Sequence, residues 1–162
     1  MIFIVMGVGV SLLLCFSLVL LVGAPYLPTL TPQVRAAIIL ADLKPGQRLL
    51  ELGCGDGKVV IAAAKMGIEV VGYELNPILA ITAWLRTLRY RHLVTIYCQN
   101  FWSAEWAPAD AIFVFLLPRY MSQLDRKVGK YQSKRIKLVS FAFKIPDKKI
   151  SRELDGVFLY EY

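Results

Sequence analysis

A chain of 162 residues with 57% hydrophobic residues has room for one globular domain, and for no second once an apolar N-terminal run is set aside. Its three cysteines, at positions 15, 54 and 98, form neither a disulfide framework nor a metal-ligand spacing, so no metal is expected and a reducing compartment is. The net charge of +7 gathers between Arg119 and Arg152, where the basic residues are not interleaved with aromatics in an RNA-module pattern. A solvated face beside anionic lipid headgroups is the preferred reading, and nucleic acid is a disfavoured partner.

Ile2 to Gly23 carries no charge and would extend roughly 33 Å as a helix, against a hydrocarbon core of about 30 Å. A cleaved signal would need Lys or Arg before the run, and a buried helix would show a polar face; neither occurs. Residues 1–23 are therefore expected to be a transmembrane anchor, with the lipid bilayer as partner through residues 2–23. Arg35, Lys44 and Arg48 behind it place the remaining domain on the cytoplasmic side. Pro25 and Pro28 make residues 24–31 a stiff connector, and residues 32–162 form the domain.

Thr31 reads as an N-cap with Pro32 at the first helical position, and Val34, Ala37, Ile38 and Ala41 give a short helix one apolar face before Lys44-Pro45-Gly46. Strands and helices then alternate. Strands are predicted at Arg48 to Leu52, Glu69 to Tyr73, Val94 to Cys98 and Ala111 to Leu117, with helices at Lys58 to Met66, Pro77 to Tyr90 and Arg119 to Gly129. This order predicts an α/β fold with a mostly parallel sheet and helices on both faces. Ile136 to Phe143 is a further strand. Lys149 to Leu154 and Val157 to Tyr162 flank Asp155-Gly156 as an antiparallel hairpin.

The chemistry is concentrated in Glu51-Leu52-Gly53-Cys54-Gly55-Asp56-Gly57, between a predicted strand and a predicted helix. Gly53, Gly55 and Gly57 allow positive backbone torsions and let a ligand lie against the main chain, with the amides of the helix start beside it. Glycine turns can also be purely structural, but Glu74 ends the second strand about twenty residues on, where a carboxylate can accept both hydroxyls of a ribose. After the third strand, Asn100 can pair with an adenine edge and Phe101 can cover the ring; a turn asparagine and a core phenylalanine are equal alternatives. Lys58 stands where a pyrophosphate fingerprint needs its third glycine, which disfavours NAD. His92, the only histidine, reads as an exposed loop residue rather than a base.

With Glu51 before Gly-x-Gly-x-Gly and Glu74 at the end of the second strand, the sequence resembles class I, Rossmann-like S-adenosylmethionine-dependent methyltransferases. An apolar N-terminal helix, Pro25 to Thr29 as Pro-x-x-Pro-Thr, and the Gly-Tyr-Glu-Leu-Asn-Pro run from Gly72 to Pro77 narrow it. They are similar to the membrane-anchored protein-lysine methyltransferases of the ATP synthase c-subunit and adenine nucleotide translocase type. Asn100 departs from that family's usual aspartate, and no mitochondrial presequence is expected before the apolar run.

The resemblance implies a Rossmann-like methyltransferase sheet preceded by one N-terminal transmembrane helix, with S-adenosyl-L-methionine as cofactor. It implies a cofactor site of Glu51, Gly53, Cys54, Gly55, Gly57, Glu74, Asn100 and Phe101. The expected partner is a membrane protein with an accessible lysine. Since a lysine attacks only when neutral, Tyr26, Thr29 and Tyr120 are candidates to accept its proton, though each is more often a packing or capping residue. The alternatives are a methyltransferase for RNA or a small molecule, or a non-catalytic membrane-tethered cofactor-binding module. Leu117-Pro118-Arg119-Tyr120 lacks the Asn/Asp-Pro-Pro-aromatic tetrad of base methylation.

Overall fold

A computed structural model of the chain describes residue 1 and residues 6–7, 27–131 and 135–162. The expected membrane-spanning run lies outside the described residues almost entirely; among those described, no helix is long and apolar enough to cross a membrane. Helix α1 spans Thr31–Ala41. Its N-cap is Leu30 rather than the expected Thr31, because the first helical bond runs from the Val34 amide to the Leu30 carbonyl (3.0 Å). Pro32 thus sits in the first turn, where its missing N–H is not needed.

Strand β1 (Arg48–Leu52) is followed by α2 (Lys58–Ala64), β2 (Glu69–Glu74), α3 (Pro77–Thr87) and β3 (Val94–Cys98), then β4 (Ala111–Val114), α4 (Pro118–Tyr131) and β5 (Lys137–Phe141). Strands β6 (Arg152–Leu154) and β7 (Val157–Glu161) end the chain. One sheet results, in the order β3-β2-β1-β4-β5-β7-β6. The first five strands are mutually parallel, and β7 pairs antiparallel with both β5 and β6. The expected hairpin is therefore present, but its second strand docks on the sheet and its first becomes the edge. Asp155 (φ 49°) and Gly156 (φ 72°) both take the left-handed torsions that a two-residue hairpin turn demands.

Several boundaries fall short of the apolar runs. β4 ends at Val114 rather than Leu117, because Val114 is the last residue with partners on both sides, Leu52 and Ser140. Leu116 is nonetheless buried, so apolarity there reflects packing beyond the sheet. β5 stops at Phe141 because Ala142 turns to φ 69°. α3 gives way to a 3-10 turn over Leu88–Tyr90.

Two cores flank the sheet. Leu49, Val70, Ala111, Phe113 and Val139 face α1, α2 and Ala83 of α3, whereas Leu50, Leu52, Val71, Ile112, Val114 and Leu138 face Met121, Leu124 and Val128 of α4. The period-two alternation along each strand assigns each side chain to one layer. Glu51 alternates with Leu49 and so points into the α1–α3 layer. Beside it in register stands Gly72, where an added Cβ would lie 3.0 Å from both Cys54 Sγ and Ile96 Cδ1. A methyl group there overfills a closed space. Gly72→Ala should cost about 1–3 kcal/mol, read as a lower urea midpoint for the full chain in detergent.

Candidate active site

The sheet order reverses between β1 and β4, and ligand crevices in such folds open at the strand C-termini beside that point. The 53–57 loop leaves β1 there. Gly53 (φ 86°), Gly55 (φ 54°) and Gly57 (φ 80°) all hold left-handed torsions, which side-chain-bearing residues adopt only at a cost. At Gly57 the need is also steric, since a Cβ would come 3.2 Å from Ala83 Cβ of α3. At Gly53 it is not: a Cβ would meet nothing within 4 Å, so space is open above the main chain.

Main-chain and carboxylate bonds fix this loop. The amides of Gly53 and Cys54 both donate to the Tyr73 carbonyl, at 2.8 and 2.9 Å. Glu74, buried at the end of β2, accepts the Gly55 amide at Oε2 and the Asn76 amide at Oε1, both at 2.8 Å. Asn76 in turn caps α3, its Oδ1 accepting from the Ile78 amide at 2.9 Å and the Leu79 amide at 3.4 Å, with Pro77 behind it. Sequence reasoning passed over Asn76, although Asn followed by Pro is the signature of a helix start. It also passed over Arg86, which donates to the Asp56 carbonyl at 2.9 Å and pairs with the Asp56 carboxylate.

Glu51 is buried, and among the described residues its Oε2 has no hydrogen-bond partner. Burial above all, then the charges of Asp56 and Glu74, push its carboxyl well above the ordinary value of 4.5, against the pull of the Val60 amide. Burial likewise raises the Cys54 thiol, which makes Cys54 a packing residue rather than a nucleophile.

Asn100 forms a turn: its Oδ1 accepts the Trp102 amide at 2.9 Å, and its carbonyl accepts the Ser103 and Ala104 amides. Phe101 packs its ring against Trp102, with centroids 4.7 Å apart, and Trp102 meets Tyr120 at 5.9 Å. Phe115 packs on Phe141 at 4.4 Å and on Phe143 at 6.5 Å. Two aromatic groups thus rim the C-terminal ends of the strands, Phe101 with Trp102 and Tyr120 after β3 and β4, and Phe115 with Phe141 and Phe143 around the ends of β4 and β5; of these the sequence singles out Phe101 and Tyr120 alone. Thr29 lies on the opposite layer, its carbonyl accepting Lys58 Nζ at 3.1 Å. Tyr26 lies outside the described residues, and His92 is exposed as expected.

A parallel sheet with an inserted antiparallel strand, a glycine loop after β1 and a carboxylate at the end of β2 together define the class of Rossmann-like S-adenosylmethionine-dependent methyltransferases. The unpartnered Glu51 oxygen and the open space at Gly53 fit that cofactor, whose ammonium and hydroxyls are hydrogen-bond donors. The family model described as ANTKMT methyltransferase domain matches residues 51–152, and the chain belongs to that family.

Among its relatives is a lysine N-methyltransferase of the ATP synthase c-subunit, from Xenopus laevis, 30% identical over 143 residues, covering 85% of this chain and 63% of the relative. The chain thus spans under two thirds of that relative's length. A protein-lysine N-methyltransferase from Saccharolobus islandicus (strain REY15A) is 29% identical over 148 residues, covering 84% of this chain and 92% of the relative. A solved RNA methyltransferase from Salinibacter ruber, in complex with S-adenosyl-L-homocysteine, superposes with a TM-score of 0.76 at 28% identity, covering 84% of this chain and 92% of that one.

The Glu51 carboxyl makes stability depend on pH. Because its folded pKa is raised, the stability it contributes is fully present below about 4.5 and is lost as pH rises through the folded value. Glu51→Gln keeps the shape and removes the titration. The variant's melting temperature should therefore fall less than the wild type's as pH rises above 4.5, as followed by circular dichroism.

Proposed function

We propose that this chain transfers a methyl group from S-adenosylmethionine to the side-chain amine of a lysine in a membrane protein. We further propose that residues 2–23 hold it in a bilayer with the domain on the cytoplasmic side. The observation that carries the reading is the 53–57 loop, three left-handed glycines clamped by Glu74, in a chain of this family. The Xenopus and Saccharolobus relatives, both lysine N-methyltransferases by name, support lysine as acceptor. The uncharged run before Leu27 supports the anchor, and with it a substrate in the same bilayer, since confinement raises effective concentration without new contacts.

When bound, the cofactor supplies an electrophilic methyl group on a sulfonium. The chain's own residues bind and orient. Gly53, Cys54, Gly55 and Gly57 present main chain to the ligand, and the buried Glu51 offers an acceptor to a donor group. Glu74 has a second lone pair on each oxygen for ribose hydroxyls. Asn100, whose Oδ1 is engaged by Trp102, directs its Nδ2 donor to an adenine edge, and Phe101 covers the ring. The aromatic rim around Trp102, Tyr120, Phe115 and Phe143 excludes water from an incoming lysine, which favours the neutral amine. The lysine gives its proton to water before the amine enters, and the Tyr120 hydroxyl then accepts a hydrogen bond from the neutral amine that attacks the methyl group; Thr29 and Tyr26 are the alternative candidates on the connector.

A second reading, RNA methylation, is favoured by the Salinibacter structure and the net charge of +7. The full chain in detergent, given methyl-labelled S-adenosylmethionine with a c-subunit proteolipid and separately with total RNA, should label lysine in the proteolipid. Label in RNA alone selects the second reading, and cofactor binding without transfer to any acceptor leaves a non-catalytic module. Glu74→Ala should weaken cofactor binding by about 1–3 kcal/mol, measured calorimetrically.

A further inference from the structure

Helix α3 is built the wrong way round for a helix in water. Its buried face consists of the small residues Ala80, Ala83 and Thr87, while Ile81 (58%), Trp84 (54%) and Leu85 (53%) are among its most exposed. Ile78, Ile81, Leu85 and Leu88 recur at three- and four-residue spacing and form one outward stripe with Trp84 beside it. Elsewhere the surface differs: among the described residues, none of the exposed large apolar side chains comes from Cys98 onward, where most of the basic residues lie.

Charge and position say what covers this stripe. No acid occurs between Pro77 and Ala104, while Arg86, Arg89 and Arg91 are all exposed. Arg86 is engaged by Asp56, so Arg89 and Arg91 are the cations at the end of the stripe. An apolar face holding Trp and Leu and flanked by arginines is the composition of a helix lying in a membrane interface. The chain also arrives on this layer, because Thr29 is held by Lys58 at the start of α2 and Gly57 before it is seated against Ala83 of α3. From Gly23 to Leu27 are four residue steps, at most about 14 Å of extended chain.

We propose that the outward face of α3 lies on the surface of an anionic bilayer, as a membrane contact separate from residues 2–23. This rests on the reading of residues 2–23 as an anchor, and the experiment separates the two. The full chain is reconstituted into vesicles of phosphatidylcholine and phosphatidylglycerol brominated near the top of the acyl chains. Carbonate extraction reports the anchor, and the emission lost in Trp84→Phe isolates Trp84 from Trp102 and Trp106. The expected result is that this emission is quenched by the brominated lipid and shielded from aqueous acrylamide, and that Ile81→Glu with Leu85→Glu abolishes the quenching while circular dichroism and cofactor binding are unchanged. An extraction-resistant chain whose Trp84 is quenched by acrylamide alone overturns the α3 contact and leaves the anchor standing. Trp84 shielded from both quenchers, with cross-linking of two chains through α3, assigns the face to a second copy instead. A chain released by carbonate, with Trp84 unquenched by lipid, overturns both readings.

Discussion

Everything at the candidate site hangs on one carboxylate. Glu74 ends β2, and its two oxygens accept the amides of Gly55 and Asn76, joining the loop after β1, the end of β2 and the start of α3 at one point. Both bonds are made inside the protein, where burial keeps water from competing for the two oxygens. The glycine loop is thereby fixed in one run of left-handed torsions before any ligand arrives, at a cost in conformational entropy. Binding then needs little reorganisation of the main chain, which is the condition under which contacts convert efficiently into affinity.

Around that clamp the layers are specified by side-chain size. Gly72 is empty so that Cys54 and Ile96 can close over it, and Gly57 is empty so that α3 can sit against the loop. The small inner face of α3 follows from the same closeness: with Ala80 and Ala83 inside, the larger apolar residues of the helix have only the outside to occupy. The apolar exterior of α3 and the tight seating of the glycine loop are two results of a single packing arrangement.

Much of this was legible in the sequence, where local chemistry and tertiary demand coincide. Alternating runs gave the strand and helix order, Asp155-Gly156 gave the hairpin turn, and Glu51 through Gly57 with Glu74 gave the crevice. The losses occur where one residue type serves two purposes. Phe115 to Leu117 are apolar because they pack beyond the sheet rather than within it, so β4 read too long. Thr31 looked like a cap, yet the helix begins one residue earlier because Leu30 supplies the carbonyl. The second aromatic group was missed because Phe143 read as a strand residue continuing β5, whereas the turn at Ala142 folds it back toward Phe115. The docking of β7 inside β6 depends on long-range pairing that no local pattern encodes.

The sheet separates the molecule into two cores that share almost no side chains. The glycine loop and Glu51 are supported from the α1–α3 layer, while Trp102 and Tyr120 rest on the α4 layer. Perturbations at sites without common partners combine independently. A lineage built on this fold is therefore free to vary Tyr120 and the α4 layer beneath it without disturbing the glycine loop and Glu51 on the other side of the sheet. Lysine-modifying and RNA-modifying relatives of nearly the same size are what such modularity allows descent to produce.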